Sequence, residues 1–358
     1  MRKRFHILLI IPIILICISL VFLLVKRNQT LKPQFYKISF DEIFEKVGEV
    51  QLSSEVLLTG PVVGQAVQVR MLPNETIVIL DQYGADVFLF SKDGKFIKKL
   101  GSKGEGPGEY RSPTRLQVDK SGNIYVFDAS SYKIIVYDSV GKFIRSFQIR
   151  GYPSRLFSGS NKLYIQKFEP GDGNTIDVYD FRGEHLKSFS PLPKEYEEVL
   201  IHVSSAGGIV VDNGDNLYQI LPTNFNIFKF SSEGKLVKKF GNVPKYYKGF
   251  EKGLRNIERR TLQRLIYEKT MIYDLFFLEP NLIIVQLINH DVNRTPIMYL
   301  EIYTTEGQHI GGNISVQNLI AFTYRDKVGF IVPSESENTN PKIALYSLKW
   351  NKRENMQK

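Results

Sequence analysis

The sequence predicts an all-β fold: a six-bladed propeller, with one membrane-spanning helix ahead of it and one helical insertion within it. Three observations predict this. A strand–turn–strand pattern recurs five times, a second series of apolar strands precedes each recurrence, and a long uncharged run opens the chain. Many Val and Ile, with 19 Tyr and 24 Phe among 358 residues, favour strands over helices.

The recurring hairpins read FLFSKDGKFIKKL (88–100), IVYDSVGKFIRSF (135–147), DVYDFRGEHLKSF (177–189), FKFSSEGKLVKKF (228–240) and EIYTTEGQHIGGN (301–313). Their turn glycines are Gly94, Gly141, Gly183, Gly234 and Gly307, separated by 47, 42, 51 and 73 residues. A tight hairpin turn needs positive φ, which glycine adopts without a steric penalty, and Asp93-Gly94 is a strong hairpin signal.

Upstream of the hairpins run TIVILD (76–81), NIYVFD (123–128), KLYIQKF (162–168), NLYQIL (216–221), LIIVQLI (282–288) and VGFIVP (328–333). Each follows a further short apolar stretch: AVQVRML, TRLQVD, SRLFSG, GIVVD, DLFFLE or LIAFTY. Six units of about four strands, repeating every ~40–50 residues, are the signature of propeller blades. The sixth unit ends at KIALYSLKW (342–350) without an outermost strand, and EVQLSSEVLL (49–58) is positioned to supply it. Such closure removes the open edges that make sheets aggregate. The propeller is expected over 48–350, with a linker at 28–47 and a polar tail at 351–358.

The stretch GSKGEGPGEYRSPTRLQVDKSGNIYVFDASSYKIIVYDSVGKFIRSF (101–147) resembles an NHL-type repeat through Gly104 to Gly108, Pro113, Gly122 to Asp128 and Asp138 to Phe143. The chain is similar overall to bacterial membrane-anchored six-bladed propellers of unassigned function. The resemblance covers blades one and two and fades where Gln166-Lys167 and Ile220-Leu221 replace the strand aspartate. It implies the fold and leaves the function open, because one fold hosts many functions.

Residues 1–27 read as a signal anchor. Ile7 to Val25 contains no charged residue, and nineteen residues at ~1.5 Å each span ~28 Å, about the hydrocarbon thickness of a bilayer. The run ends Leu20-Val21-Phe22-Leu23-Leu24-Val25, with no small-residue cleavage site. Ile16, before Cys17, is too large for a lipoprotein signal. Arg2, Lys3 and Arg4 slightly outweigh Lys26 and Arg27, so the propeller is expected outside the cytoplasm, in the bacterial cell envelope. Cys17 is the one cysteine, which excludes a disulfide within the chain and a cysteine-based zinc site.

Between Pro244 and Tyr273 the strand pattern stops, and an insertion (245–272) is expected. Phe250, Leu254, Ile257, Thr261 and Leu265 follow helical spacing, with Arg255, Arg259, Arg260 and Arg264 off that face. Lys245 to Lys269 holds eight basic and three acidic residues, a net of +5 out of the chain's +10. This is either a solvated helix over the propeller rim or a contact surface for a partner protein or phospholipid headgroups. Charge so localised does not point to nucleic acid.

Arg115 and Arg155 begin innermost strands, which line a propeller's channel, so they are candidates to hold a small anionic ligand or to pair with blade aspartates. His202, entering blade four, and His290, after the second strand of blade five, are candidate ligand-binding residues facing one side. Without a third histidine or a cysteine they suggest no metal site. Asp81 and Asp128 recur by repeat position, as structural hydrogen-bond acceptors would. Pro107 and a following strand exclude a phosphate loop at Gly101–Glu109. No cofactor and no catalytic constellation is indicated. The leading expectation is a binding propeller, the alternative a propeller hydrolase or lyase with a metal ion in its channel.

Overall fold

The computed structural model describes residues 39–53, 67–81, 84–167, 171–192, 207–222, 224–250, 258–333 and 340–349. A short helix, α1 (Phe40–Ile43), leads into β1 (Phe44–Gln51). Blade one is β2 (Val67–Met71), β3 (Ile77–Asp81), β4 (Asp86–Phe90) and β5 (Phe96–Leu100). A two-residue parallel pair follows, β6 (Ser102–Lys103) with β7 (Glu109–Tyr110). Blade two is β8 (Pro113–Val118), β9 (Ile124–Asp128), β10 (Lys133–Tyr137) and β11 (Phe143–Gln148). Blade three is β12 (Pro153–Ser158), β13 (Lys162–Lys167), β14 (Asn174–Asp180) and β15 (His185–Pro191). Blade four is β16 (Gly208–Val211), β17 (Leu217–Leu221), β18 (Asn224–Phe230) and β19 (Leu236–Phe240). After helix α2 (Arg259–Glu268), blade five is β20 (Met271–Leu278), β21 (Leu282–His290), β22 (Pro296–Thr304) and β23 (His309–Val316). Blade six is β24 (Ile320–Tyr324), β25 (Lys327–Val332) and β26 (Lys342–Leu348), completed by β1.

Each blade is a four-stranded antiparallel sheet, and the innermost strands neighbour one another around the ring, β24 meeting β2. The second strands β3 and β9 are buried along their whole length because both sheet faces are covered by adjoining blades. Outermost β11 alternates between half-buried and exposed positions, as an edge strand with one wet face should. Six hydrophobic clusters lie between successive blades. The core is therefore a ring of wedges around a channel.

The chain closes on itself slightly earlier in the sequence than the stretch 49–58. β1 pairs with β26 from Phe44–Leu348 to Gln51–Lys342, with a bulge between Lys46 and Gly48. Phe40, just before it, stacks on Phe44 at 4.8 Å and meets Tyr346 edge-on at 5.0 Å. These aromatic contacts, outside any repeat, bring the closing strand forward. Residues 54–58 lie outside the described set, as does the run Ile7–Val25. Among the described residues no helix is long and apolar enough to cross a membrane.

The repeats also fix blade to blade. The hairpin glycines have φ between +77° and +98°, and a Cβ on Gly183, Gly234 or Gly307 would strike Phe147, Phe189 or Phe240, an aromatic on the previous blade's outer strand. From that outer strand a basic residue donates to a carbonyl of the next hairpin: Lys98 to Val140 and Gly141 (both 3.2 Å), Arg145 to Phe181, Lys187 to Ser232 (3.5 Å) and Lys238 to Glu306 (2.5 Å). Part of the basic excess is thus spent on the ring itself.

Candidate functional site: the central channel

One register position recurs on the innermost strands, opposite Leu80, Phe127, Gln166, Ile220 and Gln286 of the second strands. It is occupied by Gln68, Arg115, Arg155, Gly208 and Asp274. In blades two, three and five a β-bulge precedes it, at Thr114, Ser154 and Tyr273. A bulge breaks the ladder and frees its carbonyl, and the preceding blade takes that carbonyl up. Gln68 donates to Thr114 O (3.0 Å), Arg115 Nε to Ser154 O (2.9 Å) and Arg155 Nη2 to Tyr273 O (2.7 Å).

The last of these ties skips a blade. Blade four offers Gly208 at this level, and a Cβ there would collide with the Asp274 carboxylate and the Leu275 amide. The missing side chain lets blade five come close, and Arg155 Nε reaches Asp274 Oδ2 at 3.0 Å. Their side chains are 17% and 23% exposed, so the pair is mostly withdrawn from water without being sealed from the channel. Asp274 Oδ1 also accepts from Leu275 N (2.8 Å).

Arg70, two residues beyond Gln68 on β2, adds a third guanidinium. Its Nε donates to Gln117 Oε1 (2.8 Å) and its Nη1 to Val69 O (2.8 Å). Burial pulls Arg70 and Arg115 down to about 10, with Arg155 a further depressing charge on both. Both stay charged at neutral pH. Burial raises the Asp274 carboxyl, against the pull of Arg155 and Arg70, and raises the Tyr273 hydroxyl too. Among the described residues neither Arg70 nor Arg115 has a carboxylate partner, and the Tyr273 hydroxyl makes no hydrogen bond. The channel at this level offers donors and positive charge, which suits an anionic group.

Arg115 and Arg155 thus sit on the channel as their place on innermost strands implies, Arg155 with an aspartate and Arg115 with carbonyls and the Tyr152 ring (5.5 Å). Arg70, Tyr273 and Asp274 escaped the sequence reading. Arg70 was visible in AVQVRML; its role depends on strand register, which the pattern alone does not number.

The other candidates fall elsewhere. His290 ends β21, with Tyr267 edge-on at 4.9 Å, its Nδ1 buried without a hydrogen bond and its pKa lowered by burial. His202 and Arg255 lie outside the described residues. Arg259 opens α2, and Arg260 and Arg264 on it are exposed, Arg264 facing Glu268 at 3.5 Å. The insertion helix is shorter than its spacing predicted. Phe250 is buried but not helical, because Thr270 pins this segment: Lys248 N donates to its Oγ1 (2.8 Å) and accepts at its own carbonyl from Thr270 N (2.9 Å). Tyr246 anchors the insertion further, donating to the buried Glu301 (2.7 Å) and stacking near Tyr299 at 4.5 Å.

Glu301 also meets His309 Nε2 at 2.7 Å. Blade three repeats this pairing less tightly, with His185 Nε2 3.7 Å from the buried Asp177 and 3.2 Å from Ser188 Oγ. Ser188 Oγ itself donates to Asp177 (2.6 Å). A hydrolase triad puts serine and carboxylate on opposite ring nitrogens; one nitrogen faces both here, so this is a structural network. The Gly-rich lead is likewise self-contained, with Glu109 accepting from Gly106 N (2.8 Å) and Ser102 Oγ (3.1 Å). Asp128 accepts from Ser112 N (2.6 Å) and Arg111 N (3.1 Å), tying the end of β9 to the segment that enters β8. Among the described residues no group of three His, Cys, Asp or Glu is placed to hold a metal.

A family model for a domain of unknown function, DUF4934, matches residues 32–350. The chain belongs to the DUF4934 family. This DUF4934 chain is similar in structure to a putative exported protein of Bacteroides fragilis (TM-score 0.62, 15% identity, 88% of this chain and 98% of that one). It is also similar to a DUF4221 member from Bacteroides vulgatus (TM-score 0.64, 11% identity, 86% and 99%). These likenesses show the propeller fold. In sequence it is 24% identical over 150 residues to the brain tumor protein of Drosophila melanogaster, a match spanning 40% of this chain and 14% of that protein.

Proposed function

We propose that this DUF4934 chain is a binding propeller, held at the membrane by Ile7–Val25 and working outside the cytoplasm, whose ligand enters the central channel. One observation carries the reading: Arg70 and Arg115 stand on the channel with no carboxylate partner among the described residues. Uncompensated charge that is partly withdrawn from water costs stability, and proteins keep such costs mainly at functional sites. The uncharged N-terminal run and the likeness to a protein described as exported support the location. The NHL-like pattern of blades one and two supports binding no further than the fold does.

Hydrogen exchange on the full chain, with and without the small-molecule fraction of a cell-envelope extract, tests the locus. Protection is expected on β2, β8, β12 and β20. Protection confined to outer strands or α2 would remove the channel from the proposal. The exposed Arg260 and Arg264, with Arg255 and Arg259, form a second proposed contact, for a partner or phospholipid headgroups. Changing all four to Gln is expected to abolish salt-sensitive binding to anionic liposomes, and unchanged binding would reduce α2 to a cap.

A further inference from the structure

The innermost strands already have an uncharged way to tie blade to blade. Gln68 reaches blade two through Thr114 O (3.0 Å) and Leu116 N (3.0 Å), one amide satisfying the bulge carbonyl and a backbone amide two residues on. From the second strand β21, Gln286 makes a like uncharged bridge to blade six, donating to Asn318 O (3.2 Å) and accepting from Ile320 N (2.9 Å). Arg115 makes the equivalent tie to Ser154 O but brings a full charge that the tie does not need. Arg70 likewise takes, among the described residues, a glutamine and a carbonyl as hydrogen-bond partners. The fold does not require guanidinium at either place.

Charge adds a number. Among the described residues Arg70, Arg115 and Arg155 bring +3 to this level and Asp274 brings −1, leaving +2 once the Arg155–Asp274 pair is set aside. The described hydrogen bonds of Arg70 and Arg115 use Nε and Nη1. Both guanidinium planes are therefore fixed while Nη2 of each stays outside those bonds. Tyr273, whose hydroxyl bonds to no described residue, feels the fields of all three arginines. Held donors around a net double charge match a planar or tetrahedral oxyanion that takes one oxygen to the Nη2 of each arginine.

We infer that the channel takes a doubly charged oxyanion, a phosphate monoester or a dicarboxylate, at the level of Arg70, Arg115 and Tyr273. The inference rests on the channel being the binding locus. A neutral ligand would leave both charges uncompensated and a monocarboxylate one of them.

Titration calorimetry of the full chain in detergent micelles tests it with methyl phosphate, succinate and acetate. At least one dianion is expected to bind ten or more times tighter than acetate, and the tighter of the two assigns the source. Arg115→Gln, which reinstates the tie used by Gln68, is expected to weaken that dianion more than tenfold while the melting temperature holds. Tyr273→Phe, the milder change, is expected to weaken it severalfold and keeps the test decisive if Arg115→Gln does not fold. Equal binding of acetate and both dianions, no binding of either dianion, or variants that bind as the parent does would overturn the inference. If the extract protects the channel strands while both dianions fail, the dianion is wrong and the binding locus stands.

Discussion

Arg155 of blade three and Asp274 of blade five are paired at 3.0 Å across the level of blade four, which contributes only Gly208 there. A ring of nearest-neighbour ties thus contains one that spans two steps, and a glycine makes room for it.

Gly208→Ala should separate blades four and five, because its Cβ meets the Leu275 backbone as well as the Asp274 carboxylate. Overpacking of this kind costs ~1–3 kcal/mol. A clear drop in melting temperature is expected, together with lost protection of the Leu275 amide in hydrogen exchange. A variant melting with the parent would mean that blade five retreats freely.

Asp128 gives a pH dependence. Burial raises its pKa, but hydrogen bonds from Ser130, Ser131, Ser112 and Arg111 together lower it below the ordinary value. A depressed folded pKa means the ionised form is favoured by folding. Its contribution is therefore present above the unfolded value near ~3.9 and lost as pH falls through the folded one. Asp128→Asn should lower stability at pH 7 by ~2 kcal/mol, and the parent and variant should converge in acid, below both pKa values. Denaturant melts from pH 7 down through the acid range, until the parent's loss levels off, measure this, and a gap that persists there would assign the loss to packing.

Tyr246→Phe removes the donor to Glu301 Oε1, leaving Asn313 N as that oxygen's remaining partner. A hydrogen bond to a buried charged group is worth ~1.5–3 kcal/mol. Faster exchange of Lys248 N and Thr270 N is expected, since those amides hold the insertion down. Unchanged exchange would show that the Tyr246–Tyr299 contact suffices.

The proposed anchor is tested by Leu15→Arg, which should cost insertion ~2.5–3.5 kcal/mol. Membrane fractionation should then find the variant released or trapped before export. A parent protein recovered as soluble, with a mature N-terminus beyond Leu20, would refute the tether.

The sequence by itself determined the blade count, the strand series and the hairpins, because each is a local periodicity: Gly94, Gly141, Gly183, Gly234 and Gly307 mark turns that need positive φ wherever they occur. It also placed Arg115 and Arg155 on innermost strands, since strand order within a repeat follows chain order. The tertiary structure alone decided what those arginines meet. Asp274 lies 119 residues from Arg155 and pairs with it because ring closure and the vacancy at Gly208 bring blades three and five together. Arg70 became a channel residue through its register on β2, and Tyr273 through a bulge that no composition signal marks. The closing strand began at Phe44 because Phe40 stacks on Phe44 and meets Tyr346 edge-on, a contact between the two ends of the propeller that no local pattern encodes.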